Sequence, residues 1–132
     1  MKMLKIWKKI FNLNLPPRAL TNIDIIKYAK LLKIPHFRGF YMRHALPKTG
    51  PFRKESAIIN LDNEQNPGTH WVTYKKLANS LTYFDSFGNI IPPLELIKYL
   101  KVKDIKYNHE NYQKYDTFVC GHLSLKFLCN QL

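Results

Sequence analysis

Apolar residues in the first fifteen positions recur at spacings of three and four, with lysines between them. The apolar stripe consists of Met3, Ile6, Trp7, Ile10 and Phe11. These spacings place the apolar side chains on one face, so residues 1–15 predict a short basic amphipathic helix that ends before Pro16. Packing of this helix on the rest of the domain is the default expectation. Contact with a membrane surface or with nucleic acid is the alternative.

A second helical pattern begins at Thr21. Thr21 is a favourable N-cap residue and Asp24 follows three positions later, which is the spacing of a capping interaction. The helix is predicted to run to Lys33 and to stop before Pro35. The following residues, 35–54, are aromatic, basic and rich in turn formers, which predicts an ordered loop with one short strand.

Short β-type runs follow in the second half of the chain. Residues 56–62, 71–77 and 80–87 are rich in Ile, Val, Thr, Tyr and Phe, the residues that favour strands. The turn segments 63–68 and 78–79 separate the three runs. The pattern therefore predicts an antiparallel meander.

Two further helices complete the pattern. Residues 92–101 predict a helix with proline in its first turn, residues 105–108 an edge strand, and residues 118–132 a largely apolar closing helix. Helix, sheet and helix in this order predict an α+β domain.

Composition bounds the class of protein. The chain has 132 residues, 45% of them hydrophobic, which fits one folded domain over 1–132 with a basic arm over 1–15. No stretch approaches the ~20 apolar residues of a membrane span. Lysines interrupt the apolar residues at the start of the chain, so no secretory signal is expected. We expect an intracellular protein of the host nucleus or cytoplasm, or a virion component.

The charge is concentrated in one half of the chain. Residues 1–54 carry 13 basic side chains and one acidic side chain, whereas residues 55–132 carry eight of each, so the net charge of +12 arises in the first half. A positive charge concentrated in this way suggests an anionic partner such as nucleic acid or an acidic membrane surface. The alternative explanation for the basic residues is solubility combined with a coding bias that favours lysine.

The two cysteines, Cys120 and Cys129, are predicted to stay reduced. They lie nine positions apart in the closing helix, a rise of about 13.5 Å, whereas disulfide Cα atoms lie about 4.4–6.8 Å apart. Metal binding is not indicated, because no paired-cysteine or histidine motif of zinc sites is present.

One set of side chains suggests nucleophilic chemistry. His70 begins one predicted strand and Asp85 ends the next, so antiparallel pairing brings a carboxylate to an imidazole, whose tautomer it can fix. Cys120 begins the closing helix, where the helix dipole favours a thiolate. Gln113, seven residues earlier, and the Cys120 backbone N–H could stabilise an oxyanion.

Each of these residues also has an ordinary structural explanation. His70 beside Trp71 could be a packing residue, Cys120 a small buried hydrophobe, and Asp85 part of a glycine turn. Gln113 alone indicates nothing. It is their joint placement that favours a thiol enzyme.

The pattern resembles the adenovirus maturation protease family (adenain). The sequences GTHW at 68–71, YFDSFG at 83–88 and Q-x6-CG at 113–121 follow the order and spacing of that family. The resemblance is greatest to adenain-like proteases of Polinton/Maverick elements and adintoviruses, and the wider clan includes the SUMO-specific proteases. It covers roughly residues 20–129, including a loop over 34–47 that precedes the strand leading to the histidine.

This resemblance implies a papain-like cysteine protease fold, with a central, mostly antiparallel sheet, flanking helices and the nucleophile at a helix N-terminus. By position, Cys120 would be the nucleophile, His70 the general base, Asp85 the orienting acid and Gln113 the oxyanion donor. Trp71 would line a narrow substrate channel that favours small residues such as glycine beside the scissile bond. The chemistry would need no cofactor.

The resemblance also implies partners. Viral members process capsid precursors, so a protein or peptide substrate is expected, and activation by DNA or by a peptide is left open. Adenain is activated by a peptide through a disulfide, but no cysteine lies between Asp85 and Gln113 here, so that mode is not expected. Asp85 stands where adenain has Glu, as in the SUMO proteases.

Several functions remain open at this level. This chain ends one helix after Cys120 whereas adenain continues, so exposed apolar surface or self-association is expected. The leading interpretation is an endopeptidase processing viral or transposon-encoded precursors. The alternatives are an isopeptidase acting on a ubiquitin-like modifier, and a non-catalytic basic DNA- or capsid-associated protein that retains the scaffold.

Overall fold

A computed structural model describes residues 15–61, 70–113 and 119–130, and within them three helices and five strands. Their order along the chain is α1 (Asn22–Leu31), β1 (Phe37–Met42), β2 (Lys54–Asn60), β3 (Trp71–Leu77), β4 (Ser80–Phe84), α2 (Leu94–Leu100), β5 (Asp104–Tyr107) and α3 (Cys120–Leu128). The α+β class is confirmed. The predicted arm over 1–15, apart from Leu15, and the turn over 63–68 lie outside the described residues.

The five strands form one sheet in the order β1-β2-β3-β4-β5. The meander β2-β3-β4 is antiparallel, as predicted, with the two-residue turn 78–79 joining β3 to β4. Both edge strands run parallel to their neighbours, so the sheet is mixed, which differs from the mostly antiparallel sheet that the resemblance implies. The reason at one edge is α2, which carries the chain back across the sheet so that β5 runs in the same direction as β4.

Helix α1 begins as the sequence predicts. The Thr21 side chain accepts a hydrogen bond from the Asp24 backbone N–H, and the Asp24 carboxylate accepts one from the Thr21 N–H. This reciprocal capping box satisfies two of the donors that a helix start leaves unpaired. Arg18 also pairs with Asp24 at 2.7 Å, and the Arg18 hydrogen bond lowers the pKa of Asp24 to about 2.

Helices cover both faces of the sheet, which explains why its central strands are apolar on both sides. Ile58 and Trp71 face α1 and α3 in one buried cluster. Ile59 and Val72 face α2 in the other. Alternation along each strand therefore fills two cores, and the candidate chemical residues lie at the end of the sheet where β3 begins.

A buried ion pair fixes the loop before β2. The Glu55 carboxylate accepts hydrogen bonds from Arg38 at 3.1 Å, from the Tyr74 hydroxyl at 2.6 Å and from the Tyr99 hydroxyl at 2.9 Å. The Phe52 N–H donates to the same carboxylate. Burial and these hydrogen bonds raise the pKa of both tyrosines. The network links β1, β2, β3 and α2.

Among the described residues, no helix is long and apolar enough to cross a membrane.

Candidate active site

The β3–β4 hairpin brings His70 and Asp85 together. His70 directly precedes β3 and Asp85 directly follows β4. Because Thr73 pairs with Phe84, continuing the register places Asp85 opposite Val72, two positions from His70 on the same face. The His70 Nε2 atom lies 2.8 Å from Asp85 Oδ1.

The Asp85 carboxylate is held rigidly. The residue is 1% exposed, and its Oδ1 atom also accepts a hydrogen bond from the Phe87 N–H at 3.0 Å. Its Oδ2 atom has no hydrogen-bond partner among the residues that the structure describes. A buried carboxylate with so few donors is stabilised best by a cation beside it, which favours the imidazolium form of His70.

Asn108 fixes the backbone that carries this carboxylate. The Asp85 N–H donates to Asn108 Oδ1 at 2.9 Å, and Asn108 Nδ2 donates to the Asp85 carbonyl at 2.7 Å. Sequence reasoning placed Asn108 only at the end of an edge strand and missed this contact. No local pattern signals it, because the two residues are 23 positions apart.

Phe87 supports the imidazole from one side. The His70 and Phe87 rings stack with centroids 4.7 Å apart and planes inclined by 27°. Together with the Asp85 hydrogen bond, this contact limits the rotation of the imidazole about its χ angles.

Cys120 is the first residue of α3 and is 6% exposed. The Trp71 N–H donates to its Sγ atom at 3.4 Å, and the same thiol contributes to the raised pKa of the His70 imidazole. Since Asp85 engages Nε2, Nδ1 is the ring nitrogen left for the sulfur. The structure thus places an imidazole between a carboxylate and a thiol at the positive end of a helix.

The electrostatics of His70 favour its charged form. Burial of the ring works against the charge, but the hydrogen bond to Asp85, with smaller effects from Cys120, outweighs it and raises the pKa of His70 to about 9. Near neutral pH the imidazole is therefore protonated.

Close packing sets the position of α3. A Cβ atom on Gly121 would lie 3.2 Å from the Leu20 Cβ, so this glycine allows the helix start to approach Leu20 closely. The Ser124 hydroxyl also reaches the Trp71 carbonyl at 3.5 Å. The backbone of Trp71 therefore contacts the first two turns of α3 through both its N–H and its C=O.

Gln113 lies beside the turn that follows Asp85. It is 4% exposed, and its side-chain Oε1 accepts a hydrogen bond from the Ser86 hydroxyl. The Ser86 carbonyl accepts from the Tyr112 N–H at 2.8 Å. Residues 85 and 86 thus hold two of the predicted site residues, His70 and Gln113.

Gly88 closes this turn. Its φ of +79° is a left-handed conformation, and an added Cβ would lie 2.3 Å from the Glu110 carbonyl oxygen. Only glycine fits such a position without displacement of the backbone. The turn over 85–88 is therefore packed directly against residues 108–113.

The other candidate residues are placed differently. Trp71 is 6% exposed and packs edge-on against Phe40 in the core, and its role in a substrate channel stays a prediction. His109 is exposed and contacts Asn89. His122 donates from Nε2 to the Pro16 carbonyl at 2.9 Å, and burial lowers its pKa. The catalytic roles of His70, Asp85, Gln113 and Cys120 also stay predictions.

Cys120 and Cys129 form no disulfide within the part of the chain that the structure describes. Within the described ranges 15–61, 70–113 and 119–130, no group of three or more His, Cys, Asp or Glu side chains could hold a metal ion.

Comparison with known proteins gives a likeness in structure alone. No protein-family model and no curated protein matches the sequence. The fold is similar to that of the ASFV pS273R protease, with a TM-score of 0.53 and 17% identity over 88% of this chain and 58% of that chain. The selenomethionine form of that protease gives a TM-score of 0.53 and 16% identity, covering 88% and 59% of the two chains.

The chain thus spans about three fifths of the length of that protease. The likeness confirms the predicted fold class, an α+β protease fold.

Proposed function

We propose that this chain is a cysteine endopeptidase. The observation that carries the proposal is the position of the His70 imidazole, 2.8 Å from a buried carboxylate and next to Trp71, whose N–H donates to the thiol at the start of α3. A nucleophile, a base and a group that orients the base are the three parts of a thiol hydrolase. The shared fold with the ASFV protease supports the same conclusion.

The proposed chemistry uses these three groups together with Gln113. The Cys120 thiolate attacks the carbonyl carbon of the scissile peptide, and the negative charge passes to the carbonyl oxygen. The Gln113 side-chain amide and the Cys120 backbone N–H donate hydrogen bonds to that oxygen. His70 then protonates the leaving amine as the C–N bond breaks, which leaves a thioester on Cys120.

Deacylation uses the same groups in reverse. His70, now neutral, accepts a proton from water, and the hydroxide oxygen attacks the thioester carbon. The C–S bond breaks, the carboxylic acid product leaves, and the sulfur departs as the thiolate beside a protonated His70. Asp85 stabilises the imidazolium at the start and end of the cycle.

The substrate class is part of the proposal. Precursor proteins encoded by a virus or transposon are proposed, with glycine beside the scissile bond. The resemblance of the histidine, aspartate and glutamine–cysteine motifs to adenain-like proteases supports this choice, and so does the likeness to a protease of viral origin.

A covalent probe tests the function. The chain would be treated with a peptide vinyl sulfone that carries glycine at the reactive end, and the labelled cysteine would be mapped by mass spectrometry. We expect label on Cys120, loss of label in Cys120→Ala, and retention in the matched control Cys129→Ala. Labelling of Cys129 alone, or equal labelling of both thiols, would contradict the assignment.

A parallel reaction separates the two protease classes. A vinyl sulfone built on a ubiquitin-like modifier should react more slowly than the peptide probe at equal concentration. A clear preference for the modifier would overturn the endopeptidase proposal in favour of an isopeptidase.

A further inference from the structure

Ser86 is the buried residue next to Asp85, and its hydroxyl hydrogen-bonds the side chain of Gln113. We propose that Ser86 is a positioning residue for the oxyanion donor and fixes which end of the Gln113 amide faces the reacting carbonyl. This inference rests on the proposed function. Ser86 lies within the sequence YFDSFG at 83–88, in which only Asp85 has a role in the proposed function.

The orientation of Gln113 needs fixing because the end of a glutamine side chain is nearly symmetric. Its terminal amide has an acceptor end and a donor end of nearly equal shape, and only the NH2 end can stabilise an oxyanion. In the flipped orientation the Ser86 hydroxyl could still rotate and accept from the amide NH2 group. Its own proton would then lose the Gln113 acceptor at a fully buried position, which makes the flipped orientation unfavourable. With Oε1 held by Ser86, Nε2 is directed to the other side.

The backbone supports the same arrangement. The Ser86 carbonyl accepts from the Tyr112 N–H at 2.8 Å, and the Gln113 N–H donates to Asn111 Oδ1 at 2.8 Å. Ser86 therefore hydrogen-bonds both the backbone beside Gln113 and the Gln113 side-chain amide. The side chain of the preceding residue, Asp85, holds His70, so one dipeptide orients the base and the oxyanion donor.

Kinetics of Ser86→Ala test the proposal on a peptide substrate with glycine beside the scissile bond. We expect kcat to fall about tenfold, the size of one lost neutral hydrogen bond, with KM unchanged. Binding of a peptide aldehyde, whose adduct with Cys120 carries the oxyanion, should weaken by the same factor. The control is Ser56→Ala, another buried serine, whose hydroxyl donates to the Pro35 carbonyl away from the site.

Two Gln113 variants show whether Ser86 acts through that side chain. Adding Ser86→Ala to Gln113→Ala should cause no further loss of kcat, since no amide remains to be oriented. Gln113→Glu keeps an acceptor for the Ser86 hydroxyl but loses the amide donor, so it should be as slow as Gln113→Ala. Thermal unfolding of each variant separates loss of fold from loss of orientation.

The outcomes are distinct. If the wild type turns over substrate and Ser86→Ala has the same kcat, the positioning role is overturned and the proposed function stands. The same holds if the losses of kcat in the double variant are additive. Absence of thiol-dependent turnover in the wild-type chain would overturn the proposed function and the positioning role together.

Discussion

His70 and Asp85 are hydrogen-bonded at 2.8 Å although 15 positions separate them along the chain. The hairpin that joins β3 to β4 produces this contact, because it returns the chain so that the residue before one strand meets the residue after the next. The pair therefore depends on strand register, and a slip of one residue would turn one of the two side chains to the other face of the sheet.

We expect His70→Ala to abolish peptide hydrolysis, because it removes the imidazole that interacts with both Asp85 and Cys120. His109→Ala is the matched control, since His109 is exposed and contacts Asn89 rather than the site. Initial rates on a fluorogenic peptide would compare the two. Appreciable turnover by the His70 variant would refute its role as the base.

Stability should depend on pH through His70. Its pKa is about 9 in the fold against about 6.5 in an unfolded chain, so the folded state holds the proton more tightly. The stabilisation is complete below about pH 6.5 and is lost as the pH rises through about 9. Urea unfolding of the wild type and of His70→Gln would be compared at several pH values.

The difference in unfolding free energy between the wild type and His70→Gln reports on His70, since the other titrating groups are present in both proteins. The wild-type advantage should shrink steadily from pH 6.5 to above pH 9. A difference that stays constant over that range would show that the proton on His70 does not stabilise the fold.

Gly88→Ala should destabilise the fold and lower activity together. The new Cβ would lie 2.3 Å from the Glu110 carbonyl oxygen in a turn with φ of +79°, and the displaced turn carries Asp85 and Ser86. The strain of a left-handed residue costs about 1–3 kcal/mol, and the collision adds to it. Denaturant unfolding and peptide hydrolysis would measure both effects.

Gly50→Ala provides the control for that experiment. Gly50 has the same φ of +79°, but an added Cβ would meet nothing within 4 Å. It therefore tests backbone strain without collision. Equal losses of stability in the two variants would mean that contact with Glu110 is unimportant.

We also propose that the basic half of the chain binds DNA without sequence preference. Residues 1–54 hold all of the net charge of +12, and each phosphate neutralised should contribute about −0.9 to the slope of log affinity against log salt. Removing residues 1–15 deletes four lysines and should flatten that slope by up to about four units. Filter binding to random duplex across a salt series would measure it.

The proposed catalytic residues lie outside the deleted segment, so peptide hydrolysis by the truncated chain reports whether the fold survives. DNA binding that is absent at low salt, or that does not change with salt, would contradict this proposal. The basic residues would then be explained by solubility.

Local patterns predicted the elements that depend on neighbouring residues. The capping box of Thr21 and Asp24 and the two-residue turn at 78–79 are encoded within a few positions. The hairpin in turn made the His70–Asp85 contact predictable, because antiparallel pairing follows from the turn.

Contacts between distant segments could not be predicted from local sequence patterns. The parallel direction of β1 depends on how the loop before β2 returns, and Glu55 meets Tyr99 across 44 positions. The Ser86 hydroxyl reaches Gln113 across 27 positions. Such pairs depend on tertiary packing, for which a single sequence carries no periodic signal.

The separations along the chain also predict an order in which the site assembles. The β3–β4 hairpin closes through a two-residue turn and joins His70 to Asp85, whereas the Trp71 contact with Cys120 spans 49 positions. Short loops close at a lower entropic cost than long ones, so we expect His70 and Asp85 to meet early in folding and Cys120 to dock last. A partly folded chain would then hold a formed acid–base pair without a thiol beside it, and would not cleave itself or its neighbours before folding is complete.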